Sequence, residues 1–237
     1  MLGFENKVIL VTGGSRGIGA ATVALLAELG AKVAYTDRST LNHRGTLALQ
    51  ADVTDARAME DAVQLIEQEL GPIYGVVANA GIAQDNFFPK LSAEQWQAVI
   101  DVNLTGVFNT IKSVVPLMYQ RREGAMVFIS SVVGEQGNLG QANYAASKAG
   151  LIGLAKCLAL EGARYGVRTN VVAPGFTDTS MIKEIPDHVK AKILETIPLG
   201  RFGKPEEIAW GIAYLLSPIA GGYVSGTTLS INGGRHT

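Results

Sequence analysis

Short, nearly continuous apolar runs alternating with longer helical patterns constrain this chain more than any other feature. The runs are KVILVT (7–12), KVAYT (32–36), LALQAD (47–52), YGVVA (74–78), AMVFIS (125–130), RTNVVA (168–173) and TLSI (228–231). A strand that is apolar on both faces must be covered on both, as parallel strands are when crossover helices join them. Helical patterns over about 18–29, 56–70, 93–119, 144–165 and 205–216 supply those crossovers. Right-handed βαβ units then predict an α/β fold, one doubly wound parallel sheet of about seven strands with helices on both faces. No repeat, low-complexity tract or linker breaks the alternation, so residues 1–237 are expected to form a single domain.

Two stretches depart from the pattern. Only fourteen residues, Arg38 to Ala51, separate Asp37 from Asp52 at the ends of the second and third strands, too few for a full crossover helix and a strand. That helix is expected to be shortened or replaced by a turn. The second stretch, 174–204, is weakly patterned and long enough to serve as a substrate lid. Pro205 with Glu206 and Glu207 marks the helix start that ends it.

Composition narrows the function. Apolar residues make up 47% of the chain and charged residues 17%, which suits a packed enzyme and excludes disorder. A net charge of −1 gives no electrostatic reason to expect nucleic acid or an anionic membrane, and no run is long enough to span a bilayer. A strand pattern begins at Lys7, leaving no room for a signal peptide, so a cytoplasmic protein is expected. The single cysteine, Cys157, excludes an internal disulfide and reads as a buried, inert thiol among apolar neighbours. Arg121-Arg122 reads as a solvated helix end, and His43, His188 and His236 lack metal-ligand spacing, so no metal site is expected.

The first strand runs directly into TGGSRGIG (12–19) and then a helix. Gly13, Gly17 and Gly19 allow a tight turn and a close backbone approach to a pyrophosphate, which the helix N-terminus stabilises. At the first strand-to-helix turn of a doubly wound sheet, this loop points to a Rossmann-type nucleotide site. ANAG (78–81) ends the fourth strand at the same carboxyl edge, where the Asn79 amide can tie neighbouring strand ends together. Asp37, twenty residues after Gly17, is placed to bind a ribose 2′-OH and favours NAD(H), whereas Arg38 and Arg16 could clamp a 2′-phosphate.

NYAASKAG (143–150) sets Tyr144 and Lys148 one helical turn apart on one face. Ser131, after the fifth strand, projects from the same sheet edge. An ammonium about 5 Å from a phenol at an effective dielectric of about 20 favours the phenolate by about 3 kcal/mol, or roughly two pKa units. Lys148 is therefore expected to bring Tyr144 down toward the range useful for proton transfer.

These motifs together resemble the short-chain dehydrogenase/reductase family over the whole length. Thr12–Gly19 matches its T-G-x-x-x-G-x-G, Asn79-Ala80-Gly81 its N-A-G, Tyr144/Lys148 its Y-x-x-x-K and Pro174-Gly175 its P-G; Ala78 departs from the further Asn of many members. The resemblance implies a catalytic set of Asn103, Ser131, Tyr144 and Lys148. It also implies a dinucleotide bound by Gly13, Ser15, Arg16, Gly17, Ile18, Gly19, Asp37, Arg38, Asp52, Val53, Asn79, Ala80, Gly81, Pro174, Gly175, Thr177 and Thr179, with Tyr144 and Lys148. Within the family, AGIAQDNFFPKL, GNLGQANYAASKAGLIG, NVVAPGFTDTSM and IPLGRFGKPEEIA are similar to the reductases of 3-oxoacyl thioesters.

That similarity implies reduction of an acyl thioester, carried by CoA or acyl carrier protein, to the (3R)-3-hydroxy product in fatty-acid or polyhydroxyalkanoate synthesis. Reductive biosynthesis tips a narrow balance to NADP(H), with NAD(H) the alternative. Arg122 matches one basic carrier-docking position; Tyr165, flanked by Arg164, stands at the other. A homotetramer pairing helices 93–119 and 144–165 is also implied. The competing readings are an NAD(H)-dependent dehydrogenase of another secondary alcohol and a non-enzymatic nucleotide sensor, the latter disfavoured by the intact catalytic set.

Overall fold

A computed structural model describes residues 2–38, 47–183 and 186–237. β1 (Val8–Thr12), β2 (Lys32–Asp37), β3 (Leu47–Gln50), β4 (Ile73–Ala78), β5 (Gly124–Ile129), β6 (Val167–Pro174) and β7 (Thr228–Ile231) form one sheet in the order β3-β2-β1-β4-β5-β6-β7. Every neighbouring pair is parallel. The order reverses between β1 and β4, which puts a crevice outside their carboxyl ends.

Period-two alternation explains why both faces are covered. Ile9 and Val11 of β1 pack with Val23 and Leu26 of α1 (Gly17–Glu28) and Ile208 and Ile212 of α9 (Pro205–Leu216). Val8 and Leu10 point the other way. They join Val63 and Ile66 of α2 (Ala56–Glu69), Val107 and Ile111 of α4 (Gly106–Arg121), and Leu151 and Ala155 of α6 (Ala142–Ala163). Each such side chain, fully buried, contributes about 1.5–3 kcal/mol.

The expected helix over 93–119 is instead three pieces. α3 (Ala93–Ile100) passes through a π-helical turn, Asp101–Thr105, into α4. The extra residue per turn is invisible to a 3.6-residue pattern, and such turns collect at functional sites. The 174–204 stretch carries two helices, α7 (Ser180–Lys183) and α8 (Asp187–Glu195), and its ends are joined at a narrow stem. There Thr177 bridges Gly203, the Gly203 N–H donates to Phe176 O at 2.9 Å, and the Asp178 N–H donates to Gly203 O at 2.8 Å. A short helix, α5 (Val132–Gln136), follows β5. Most of the expected short connection after Arg38, residues 39–46, lies outside the described residues.

One surface expectation is corrected and a second refined. Cys157 is exposed, because the core face of α6 follows Leu151, Ala155 and Ala159 and leaves Cys157 on the outward side. Arg121-Arg122 does end α4, with Arg122 exposed, but both guanidinium groups also bond to the protein. Arg121 makes a bidentate pair with Glu67 at 2.6 and 2.8 Å. Arg122 takes the left-handed C-cap position at φ 57° and donates to Arg164 O at 2.6 Å.

Arg168 of β6 holds down the far end of α9. Its guanidinium donates to the carbonyls of Leu215 (2.7 Å), Leu216 (3.1 Å), Ser217 (3.2 Å) and Val224 (3.2 Å). A cation there also complements the negative end of the helix dipole. Arg168→Met keeps the packing stem but strands these acceptors, a loss of about 2–3 kcal/mol. Thermal unfolding should therefore move down by roughly 4–12 °C; an unchanged melting temperature would show that water satisfies these carbonyls equally well.

Candidate active site

The carboxyl edge of the sheet is built around the β1–β4 junction. Gly13, at φ 66°, turns the chain out of β1, and its N–H donates to Thr36 O at 2.8 Å. At Gly19 a side chain is impossible, since a Cβ would lie 2.1 Å from Gly13 O and 2.6 Å from Asn79 Nδ2. Asn79 ties the strand ends as its sequence position suggested. Its Nδ2 donates to Thr12 O and Gly13 O, both at 3.0 Å, while the N–H groups of Asn79 and Ala80 donate to Thr12 Oγ1 at 3.1 and 3.2 Å.

α1 begins without a side-chain cap or an acidic residue in its first turn. A helix start left in that state suits an external anion. Ile18, in this first turn, packs against the sheet core, while Arg16 is exposed. Ser15 donates its hydroxyl proton to Asp37 Oδ2, which fixes that carboxylate at the end of β2, and Arg38 beside it is exposed. Asp52 accepts from Thr54 N and Oγ1 at 2.9 and 2.8 Å, and buried Val53 is held through its carbonyl by Asn109 Nδ2 at 2.9 Å.

Across the crevice, β6 delivers Pro174 and Gly175, whose N–H donates to Ile231 O at 2.9 Å. Thr177 is buried and donates to Gly175 O at 3.2 Å. Thr179 reaches back to the glycine loop, where a Cβ on Gly17 would lie 3.3 Å from its methyl group. A cavity of about 420 Å³ opens there between α1 and the lid base, with Arg16, Gly17 and Thr179 in its wall. Its wall continues along Ala20, Ala21 and Ala24 of α1 to Pro205 and Glu206, away from the titratable residues Tyr144 and Lys148.

At that other end, Gly81 is the pivot. A Cβ on it would lie 3.3 Å from Asn103 Oδ1 and 3.4 Å from Lys148 Nζ, so the bare backbone lets both groups approach. Asn103, in the π turn, is fully buried. Its Oδ1 accepts from Ile82 N at 2.8 Å, and its Nδ2 donates to Ile82 O at 3.0 Å and Ser147 Oγ at 3.2 Å. Ser131 caps α5 by accepting from Val133 N at 3.1 Å. Lys148 is 3% exposed and donates to Ile129 O at 2.7 Å.

The electrostatics differ from the expectation drawn from the i, i+4 spacing. Lys148 Nζ lies 5.6 Å from the Tyr144 ring centre, yet the phenol is not lowered. Tyr144 is partly buried, and burial pushes its phenol up to about 12, against a hydrogen bond with Ser131 that lowers it; the negative charge of Asp85 raises it further. Burial also lowers Lys148 to about 8. Desolvation disfavours both charged forms and is the largest cause of each shift. The phenol is consequently a neutral proton donor across the physiological range.

The structure thus gathers Asn103, Ser131, Tyr144, Lys148 and Gly81 at one end of the crevice, with the glycine loop, Asp37 and Thr179 toward the other. Asn109 and Ser147 support this arrangement without any sequence signal beyond their residue type. Among the described residues no group of His, Cys, Asp and Glu could hold a metal ion. Nor is any helix among them long and apolar enough to cross a membrane.

Comparison with known proteins gives the same assignment. The family profile of short chain dehydrogenases matches residues 7–190. The chain is 57% identical to an acetoacetyl-CoA reductase of Synechocystis sp. over 237 residues, all of this chain and 99% of the relative. It is 44% identical to the 3-oxoacyl-[acyl-carrier-protein] reductase of Escherichia coli, covering 99% of both. With the corresponding Thermotoga maritima reductase it shares 45% over 97% of this chain and 98% of the relative. The chain belongs to the short-chain dehydrogenase/reductase family of oxidoreductases.

Proposed function

We propose that this protein reduces a 3-oxoacyl thioester to the (3R)-3-hydroxyacyl thioester with NADPH, and that acetoacetyl-CoA is its substrate. The observation that carries this reading is the convergence of Asn103, Ser131, Tyr144 and Lys148 beside Gly81 in a chain with full-length similarity to thioester reductases. CoA is favoured by the 57% relative and by the state of the basic corner. Arg122 is bonded to Arg164 O, and Arg164 stacks on Tyr165, which itself stacks on Tyr119 at 4.3 Å. These contacts fix the corner's two guanidinium groups in place, although both remain exposed. The 44% relative named for the acyl-carrier-protein substrate supports that carrier as the second reading.

The crevice fits a nicotinamide dinucleotide: the start of α1, with no side-chain cap and no acidic residue in its first turn, suits a pyrophosphate. Ser15, Arg16, Gly17, Ile18, Asp37, Arg38, Asp52, Val53, Asn79, Ala80, Gly81, Pro174, Gly175, Thr177 and Thr179 would hold it, and when bound it supplies the hydride. Ser131 orients the substrate carbonyl oxygen through its hydroxyl. Tyr144 gives its phenolic proton to that oxygen, and Lys148 keeps a positive charge beside the phenolate that forms. Asn103 holds the backbone at Ile82 against α6 and so keeps the set together. A homotetramer in the cytoplasm completes the reading; Phe108 on α4 and Leu160 on α6, 51% and 81% exposed, offer apolar surface for subunit pairing.

Tyr144→Phe removes the donor alone. Acetoacetyl-CoA turnover should fall at least about a hundredfold, with dinucleotide binding, read by fluorescence titration, kept. Near-native turnover would end the assignment.

The cofactor balance turns on the end of β2. Arg38→Ala should raise the KM for NADPH about tenfold while leaving that for NADH within about twofold. Native preference for NADH, with NADPH use gained in Asp37→Ala, would assign the choice to the carboxylate.

The pH dependence comes from the two shifted groups. Lys148 is protonated below about 8 and Tyr144 below about 12. If both must be protonated for reduction, kcat/KM should decline as pH rises through about 8, driven by Lys148. A profile flat to about pH 10, well past the lysine's titration, would remove the lysine charge from the reaction.

A further inference from the structure

Asn143, which precedes the tyrosine proposed as proton donor, is fully buried, whereas Tyr144 itself is only partly so. Its carboxamide nevertheless uses both kinds of group it has. Nδ2 donates to Gln84 O at 3.0 Å and Gln95 O at 3.2 Å, and Oδ1 accepts from Tyr144 N at 2.8 Å. One side chain thereby joins the segment after Gly81, α3 and the start of α6.

The same segment is gripped two residues earlier by Asn103, which binds both backbone groups of Ile82. Residues 82–84 have no regular secondary structure and are pinned between two buried amides instead. A second path closes the loop, since Asn103 Nδ2 donates to Ser147 Oγ at 3.2 Å and Ser147 Oγ donates to Tyr144 O at 2.8 Å. Tyr144 is held at its N–H by one path and at its carbonyl by the other. Asn86 N, donating to Gly140 O at 2.8 Å, and Gln141 Nε2, donating to Asp85 Oδ2 at 2.8 Å, continue the seam toward the mouth.

We propose that Asn143 is a positioning residue for the reduction, fixing the Tyr144 phenol relative to Asn103 and Ser131 by clamping residues 82–84 to α6. This rests on Tyr144 being the proton donor. No other side chain of this size fills the role: Asp lacks the donors for two carbonyls, Leu lacks all polar groups, and Ser does not reach across. A proton donor displaced by a fraction of an ångström loses turnover more than it loses binding, because proton transfer demands closer alignment than the many contacts that share in holding the ligands.

The test compares Asn143→Ala with Asn170→Ala. Asn170 is an equally buried amide that donates to Val224 O at 2.8 Å and accepts from Thr227 N at 3.1 Å, between β6 and β7. Both variants should lose thermal stability. Only Asn143→Ala should lose kcat, by about tenfold or more, with KM for acetoacetyl-CoA and NADPH within about twofold. Retained kcat in Asn143→Ala, or an equal fall in Asn170→Ala, would overturn the proposal. Should Asn143→Ala not fold, Asn143→Ser, which keeps an acceptor for Tyr144 N, is expected to show the same split to a smaller degree. The native protein is assayed with acetoacetyl-CoA and with ethyl acetoacetate. Reduction of the ester alone would refute the thioester reading while the Asn143 ratio is still read on the ester.

Discussion

The site depends on how β1 and β4 part company. Their pairing ends at Val11 and Val77, and beyond that the sheet opens. An opening in the middle of a buried sheet strands backbone donors and acceptors, each costing about 1–3 kcal/mol if unpaired. The side chains of Thr12 and Asn79 supply the missing partners, accepting from two N–H groups and donating to two carbonyls across the gap. Side chains thus take over from the ladder at the place where backbone pairing must stop. The glycine turn, the bare Gly81 and the crevice between them are held open by these four bonds.

From Gly81 the same logic spreads toward Tyr144 and Lys148. Lys148 is brought beneath a backbone without a Cβ, away from water, and gives its proton bond to Ile129 O. Enclosure of this kind acts on the tyrosine and the lysine in opposite directions on the pH scale, yet in the same chemical sense, since each is driven toward neutrality. The residues are therefore poised to respond strongly to any charge that enters the crevice, because few water dipoles are present to screen it.

Much of this was legible in the sequence, for a definite reason. Strands buried on both faces write themselves as unbroken apolar runs, and all seven fall within two residues of where those runs lie. The glycine loop, Asn79 and the Tyr144/Lys148 pair were legible because their chemistry needs fixed spacing. The π turn at Asp101–Thr105 was not, because one added residue leaves the apolar pattern on either side intact. The direction of the Tyr144 shift was hidden for another reason: spacing along a helix gives proximity, whereas desolvation depends on what the rest of the chain packs over the phenol. Cys157 shows the same limit, its apolar neighbours in sequence lying on a different side of α6. Asn143 stood in plain view beside Tyr144, but its partners Gln84 and Gln95 are about fifty residues away.

The stem formed by Phe176–Asp178 and Gly203 has a bearing on how such a scaffold diversifies. Backbone bonds close the excursion at its base, and Leu199 N, donating to Gly233 O at 3.1 Å, adds a second tie to the chain beyond β7. Lengthening a closed loop costs little, about 0.6 kcal/mol for each doubling. The segment over the crevice can accordingly be exchanged for one of different size or chemistry while Pro174, Gly175 and Thr177 keep their places. Such a stem lets the excursion vary in size while the strand ends at Ala78 and Pro174 stay where the sheet holds them.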